Sequence, residues 1–400
     1  MSRYLLVNPP RTRFGYMVRE EACFMSPTVG PVSPWTLLTL ASHLKITGNA
    51  VELIDCQLAG LGHSDLKSII ERRKPDEVVA VATLGTIIED LEILRPYKGR
   101  RTAIIYPPCD PDDIRKLVPW IDNIVFDWLE HFEVKRIPAP DYDSVQVEKY
   151  YRVVSQSSVH CPMSCIFCTV ANTGWKPRDP RSVVEEMSYL QQRGASFIRF
   201  IDPEFTLSRN RVFEICRLYS DRGLKVKWAI DSRVSDVDEN MITRLRASNC
   251  RLILYGVESG SQQTLDEIRK RTTVQQGLDA IRITRRSGIA ASATFCFGFP
   301  CDSNESFLET SRFIHEANPT LFSVGFPRPQ PNTELYTIAR KENLLASQNL
   351  LEYQTQPSPI MRTRKLGTKE IEKLTSQLAK QARRRRYTLD YVLYRLRGGL

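Results

Sequence analysis

Ser157-Ser158-Val159-His160-Cys161-Pro162-Met163-Ser164-Cys165-Ile166-Phe167-Cys168 is the stretch from which the rest of the chain can be read. Three cysteines stand at C-x3-C-x2-C spacing in a short loop that also carries Pro and Ser. Thiolates are soft ligands suited to iron–sulfur clusters and to zinc. A structural zinc site takes four ligands, usually from two close pairs, and the sequence holds no second C-x2-C pair. Three thiolates on a four-iron cluster leave one iron open, able to bind a small molecule and pass it an electron. The ordinary alternative is a set of buried structural cysteines, since a free Cys packs as a small hydrophobe. Three thiols in so short a loop, flanked by Pro and Ser, do not read as a packed core segment.

The bulk composition sets the frame. Four hundred residues suffice for two or three domains and a sizeable core. With 26% charged and 42% hydrophobic residues, the chain reads as a soluble globular protein. It has no apolar run of eighteen residues, so neither a membrane span nor a membrane partner is expected. Leu5-Leu6-Val7 is too short an apolar core for a signal peptide and reads as a strand before the turn Asn8-Pro9-Pro10. Ten cysteines without a disulfide-like pattern point to a reducing cytoplasm. The net charge of +10, densest at Arg383-Arg384-Arg385-Arg386, fits an acidic partner or a solvated basic face. With no aromatic-rich sheet motif or zinc finger beside it, nucleic acid is the less favoured partner.

Outward from the cysteine loop, residues 153–335 alternate six strands with five helices. The strands are expected at Arg152–Ser157, Phe197–Ile201, Val226–Ile230, Leu252–Val257, Ala291–Phe297 and Leu321–Phe326. Six such units predict a partial (β/α)6 barrel, whose function sits at the C-terminal strand ends. The cysteine loop follows the first strand. Asp202 and Glu204 follow the second, Asp231 and Arg233 the third, and Glu258 and Ser259 the fourth, with Arg269, Lys270 and Arg271 soon after. Gly298 follows the fifth. Asp236 and Asp238, ahead of a helix, read as caps. Residues 1–130 also alternate strand and helix, which predicts a Rossmann-like parallel sheet covered on both faces. They carry no G-x-G-x-x-G, so a dinucleotide is not the expected ligand. Residues 131–152, with Pro138-Ala139-Pro140, read as a linker. Residues 336–400 read as a helical basic extension, with helices at Tyr336–Leu345, Lys369–Arg386 and Leu389–Leu396 that cover the barrel mouth or shape a substrate site.

The cysteine spacing, with the aromatic Phe167 just before the last cysteine, resembles the signature of the radical S-adenosylmethionine (SAM) enzymes. Gly256-Val257-Glu258-Ser259-Gly260-Ser261 resembles that family's stretch whose Glu and Ser approach the ribose and methionyl parts of SAM. Gly298-Phe299-Pro300 resembles the segment passing adenine, and Pro327–Leu335 the turn that closes the barrel. His160 stands where the family often has Gly. The resemblance implies a 4Fe–4S cluster on Cys161, Cys165 and Cys168, with SAM on the open iron and Phe167 beside its adenine. Asp202, Glu204, Arg233, Glu258, Ser259, Arg271 and Gly298 are then SAM contacts. Arg233 and Arg271 suit its carboxylate, because a guanidinium fork matches that shape. It also implies an electron donor such as a ferredoxin or flavodoxin. No side chain is assigned as a catalytic acid or base.

Leu5-Leu6-Val7-Asn8-Pro9-Pro10, Pro34–Ala41 and Val51-Glu52-Leu53-Ile54-Asp55 are similar to the cobalamin-binding domain that precedes many radical SAM cores. The Asp-x-His-x-x-Gly motif that supplies a lower histidine is absent, and Tyr106-Pro107-Pro108 stands where relatives carry a Gly-Gly turn. The resemblance implies Thr83, Leu84, Gly85 and Thr86 as the loop beneath the corrin, with Asn8 and Pro9 at its edge. The implied function is a cobalamin-dependent radical SAM methyltransferase that methylates an unactivated carbon through a 5′-deoxyadenosyl radical and methylcobalamin. Its expected target is a peptide or protein, since compact relatives include one that methylates a glutamine of methyl-coenzyme M reductase. The alternatives are a cyclase or rearrangement enzyme using cobalamin without methyl transfer, and methylation of a small-molecule or lipid precursor. A methylthiotransferase would need three more N-terminal cluster cysteines; Cys23, Cys56 and Cys109 are widely spaced.

Overall fold

The computed structural model describes residues 1–12, 15–19, 23–24, 30–349, 351–352 and 358–385. The chain forms two compact units. The first is built from Met1–Ser155 and Glu185–Ile198, and the second from Gln156–Val184, Arg199–Asn349 and the described C-terminal segment. Among the described residues no helix is long and apolar enough to cross a membrane.

In the first unit the order is β1 Arg3–Asn8, α1 Trp35–Ile46, β2 Ala50–Asp55, α2 His63–Arg73, β3 Glu77–Thr83, α3 Ile87–Leu91, β4 Arg100–Tyr106, α4 Pro111–Leu117 and β5 Asn123–Val125. The sheet order is β2-β1-β3-β4-β5, and every pairing is parallel. The central β3 is buried along its whole length, as a parallel strand covered on both faces must be. Leu5, Val7, Val78, Ala80, Ala82, Ala103 and Ile105 form the core with Leu66, Ile70 and Leu91 of the helices. Each large side chain buried there contributes roughly 1.5–3 kcal/mol. The strand order reverses between β1 and β3. Such a switch point leaves a crevice outside the carboxyl ends of the two strands, where sheets of this kind take ligands.

The second sheet and its helices are β6 Val153–Ser155, α5 Pro180–Gln192, β7 Phe197–Phe200, α6 Arg209–Asp221, β8 Lys227–Ser232, α7 Glu239–Ala247, β9 Cys250–Glu258, α8 Val274–Arg286, β10 Ala290–Cys296, α9 Asn304–Ala317, β11 Leu321–Gly325, α10 Glu334–Lys341 and α11 Thr368–Arg385, and everything from α6 onward belongs to the second unit. The strands lie in sequential order, β11-β10-β9-β8-β7-β6, with β8 to β11 paired in parallel. A sequential sheet whose first and last strands, β6 and β11, do not pair with each other among the described residues is the expected open barrel. Trp228 packs between the sheet and its helices, with ring centroids 5.9, 5.6 and 6.4 Å from Phe200, Phe205 and Tyr219 of α6. Asp238 caps α7 by accepting from Met241 N, and Thr273 and Ser303 open α8 and α9 with capping boxes.

The sequence-based strand bounds hold to within a few residues. In the C-terminal extension α11 packs along the edge strand β11 and buries Ile371 and Leu378, with Ile371 beside Gly298 at the carboxyl end of β10. The helix expected at Leu389–Leu396 lies outside the described residues.

Candidate active site

The cysteine loop is tied at its base and across its middle. Ser158–Val159 pairs antiparallel with Lys176–Pro177. Inside it, Asn172 N donates to Met163 O at 2.8 Å, Thr173 N to Cys161 O at 3.2 Å and Cys168 N to Cys165 O at 3.2 Å. Ile166 N donates to Ile268 O, and Leu335 N to Ile166 O, which fastens the loop to the rest of the unit. His160 has φ +67°, a conformation that glycine adopts freely and other residues seldom do. All three thiols are free, with Cys161 and Cys165 buried and Cys168 half-buried. Burial pushes the Cys168 thiol up to about 11 and raises Cys161 as well. Metal binding would therefore displace protons from these thiols. Ser164 Oγ is buried with no hydrogen-bond partner, as befits a group awaiting a ligand. Three free thiols and an orphaned hydroxyl on one pinned loop fit a cluster.

The strand-end residues divide into two groups. In one group most of the side chains are engaged by hydrogen bonds within the protein. Asp202 accepts from Ser157 N, Ser157 Oγ and Ser158 Oγ at 2.7, 2.5 and 2.7 Å. Its carboxylate holds the entry to the cysteine loop. Glu204 accepts from Thr206 N, Thr206 Oγ1 and Arg233 N, and burial pushes it up to about 7. The Arg233 guanidinium is held by the carbonyl oxygens of Lys270 and Arg271, so it shapes the turn after β9. Ser259 faces Thr310 of α9, at 3.3 Å, and Arg271 is exposed.

The other group converges beside the cysteines. Lys270 Nζ donates to Glu258 Oε1 at 2.8 Å and stands 5.9 Å from the Phe167 ring centroid. Phe167 is 5.4 Å from Phe299. Burial opposes the Lys270 charge, yet Glu258 and Cys165 hold its pKa above the ordinary value. Glu258 sits at φ +67°, next to a register shift between Gly256 and Glu258. Gly298 has φ +121°. Its turn is fixed by Asp302, which accepts from Gly298 N at 2.8 Å and Phe299 N at 2.9 Å. Lys270 and Asp302 carry roles that no motif announces. The one signal for Lys270 was the cationic run after β9.

At the carboxyl end of the first sheet, Asn8 is buried. Its Nδ2 donates to Asp55 Oδ1 at 2.9 Å, and its Oδ1 accepts from Gln57 Nε2 at 3.2 Å. Pro9, Thr83, Leu84 and Thr86 are buried too, while Gly85 is half-buried. The two histidines of this sheet region are engaged by main chain. His43 Nε2 lies 2.9 Å from Phe132 O and His63 Nε2 3.1 Å from Glu89 O.

Residues 155–314 match the family model described as the radical SAM superfamily. The chain is 30% identical to an uncharacterized methyltransferase of Pyrococcus horikoshii, over 87% of this chain and 86% of that protein. It is 25% identical to the anaerobic magnesium-protoporphyrin IX monomethyl ester cyclase of Rubrivivax gelatinosus, over 74% of this chain and 64% of that protein. Among solved structures, the cobalamin-dependent S-adenosylmethionine radical enzyme OxsB, with aqua-cobalamin and S-adenosylmethionine bound, superposes with a TM-score of 0.71 at 18% identity. The match covers 95% of this chain and 66% of OxsB. The radical SAM methyltransferase TsrM of Kitasatospora setae, with cobalamin and a 4Fe–4S cluster bound, gives 0.64 at 18% identity, over 85% and 78% of the two chains. At these identities the likeness is one of fold.

Proposed function

The chain belongs to the radical SAM superfamily, and from that premise we propose that it is a cobalamin-dependent methyltransferase acting on an unactivated carbon. Residues 1–130 are its cobalamin domain and 153–335 its barrel. The observation that carries the cobalamin half is the switch point of the first sheet, flanked by the Asn8 and Thr83–Thr86 strand ends. Cys161, Cys165 and Cys168 would hold the cluster, and the loop at Gly85 would carry the corrin. When bound, these groups supply one-electron cleavage of SAM and a methyl carrier.

The chain's own residues then bind, orient and exclude water. Phe167 and Phe299 offer apolar faces beside the cysteines, and Lys270 offers a buried positive charge. Asp302 holds the Gly298-Phe299 turn, and Asp202 the entry to the cysteine loop. The electron comes from a ferredoxin- or flavodoxin-like donor in the reducing cytoplasm. The target we favour is a peptide or protein, in its finest form a glutamine of methyl-coenzyme M reductase, on the resemblance to compact relatives.

The likeness to the Rubrivivax cyclase favours a second reading, ring formation with cobalamin and no methyl transfer. Anaerobic full-length protein, supplied with cobalamin, SAM, a reductant and a candidate acceptor peptide, separates the two. Methyl transfer leaves both S-adenosylhomocysteine and 5′-deoxyadenosine, while ring formation leaves 5′-deoxyadenosine alone. Neither product would refute both.

A further inference from the structure

Arg19 is fully buried, and it lies in no motif and in no regular element. Its Nη2 donates to Asp90 Oδ1 at 2.5 Å and its Nε to Asp90 Oδ2 at 3.2 Å, with both side chains 1% exposed. Nη1 donates to Asn8 Oδ1 at 2.9 Å, and Nη2 also to Pro10 O at 3.2 Å. A buried ion pair is retained at a desolvation cost that a forked, fully hydrogen-bonded geometry offsets. Here the fork joins the segment after β1 to the helix after β3, the two sides of the switch point.

The pair reaches further by a directional chain. Thr86 Oγ1 lies 2.6 Å from Asp90 Oδ2 and 2.8 Å from Thr83 Oγ1. An ionised carboxylate only accepts, so the Thr86 hydroxyl donates to Asp90 and accepts from Thr83. Leu84 N donates to Tyr106 O and Thr86 N to Thr83 O, closing the turn. With Thr83, Leu84 and Thr86 buried, the residue the turn leaves half-exposed is Gly85. The polar side chains of this loop therefore face inward, and Gly85 is its half-exposed residue.

We propose that Arg19 is a positioning residue for the cobalamin site, acting through Asp90 and Thr86 to fix the backbone at Gly85. The proposal rests on the cobalamin reading above. It assigns Arg19 and Asp90 to a site whose sequence motif contains neither.

Arg19→Met would strand a buried carboxylate and could unfold the chain, so the test begins with Thr86→Val, which leaves the ion pair intact. Two quantities are read on full-length protein: hydrogen exchange over residues 83–86, and the Kd for cobalamin. Cluster iron content serves as the folding control. Thr86→Val should exchange faster and bind cobalamin about tenfold more weakly, the scale typical of groups that orient a metal site from behind. Thr86→Ser should restore both, and Arg19→Lys, which cannot fork, should fall between. Wild-type exchange in Thr86→Val overturns the proposal, whatever cobalamin does. Faster exchange with wild-type cobalamin affinity overturns its functional half. If the wild-type protein takes up no cobalamin, the cobalamin reading itself fails, and the exchange data alone decide whether the relay holds the loop.

Discussion

Lys270 and Glu258 form an ion pair at 2.8 Å with side chains 9% and 10% exposed, between two residues that bracket the turn after β9. Removing one partner of a buried pair leaves an uncompensated charge, which costs about 3–5 kcal/mol. Lys270→Met should therefore destabilise the protein strongly in a denaturant titration. The double variant Lys270→Met/Glu258→Leu should recover much of the loss. A double variant as unstable as the single one would show that the pair is not energetically coupled.

Asp302 holds two buried amides, those of Gly298 and Phe299, and also accepts from Thr264 Oγ1 and Ser306 Oγ at 2.9 Å. Asp302→Ala leaves them unpaired, at about 1–3 kcal/mol for each buried group. Because Phe299 stands beside Phe167, the variant should also bind SAM more weakly while keeping its iron. Equilibrium binding of SAM to the cluster-loaded protein reads this, and unchanged affinity would detach the turn from the site.

Glu204 carries a pH signature. Burial lifts its pKa from the ordinary 4.5 to about 7. Between those values the folded chain holds a proton that the unfolded chain has released, so stability falls as pH rises from about 4.5 to 7. The span corresponds to roughly 3 kcal/mol. Glu204→Gln, measured in parallel on cluster-free protein, should lose this slope. A slope unchanged by the substitution would place the titration elsewhere.

His43 and His63 have their Nε2 atoms at backbone carbonyls, and neither is expected to reach cobalt. Electron paramagnetic resonance of the cob(II)alamin form should lack nitrogen superhyperfine splitting. Splitting that disappears in His43→Ala or His63→Ala would refute this.

Much of the fold was legible because its signals are local. Val78–Ala82 is apolar throughout, as a doubly covered strand must be, and the cysteine triplet marks the end of the first barrel strand. The site was legible as a neighbourhood and less so as contacts. Asp202 and Arg233 are polar residues at strand ends, the pattern of ligand-binding groups, yet they hold Ser157 and the 270–271 turn. Sequence shows which strand end a polar residue occupies but not whether main chain has already taken its hydrogen bonds. Arg19 and Asp90 were invisible for a related reason. They meet across 71 residues, and no period or motif joins them.

The cluster assignment is checked by iron content. Anaerobic reconstitution should give about four irons per chain. The triple Cys161→Ala/Cys165→Ala/Cys168→Ala variant should lose both the iron and SAM cleavage. Retention of both would remove the cysteine loop from the chemistry.

The central claim is that methyl transfer runs through cobalamin held at the Gly85 loop while SAM cleavage belongs to the barrel. Gly85→Trp, a bulky side chain at the half-exposed position of the turn, tests it most directly when cobalamin uptake and 5′-deoxyadenosine formation are measured on one preparation. The account predicts that cobalamin binding and methyl transfer are lost while 5′-deoxyadenosine is still formed. A wild-type protein that takes up no cobalamin when it is supplied, yet methylates its target, would contradict the account outright.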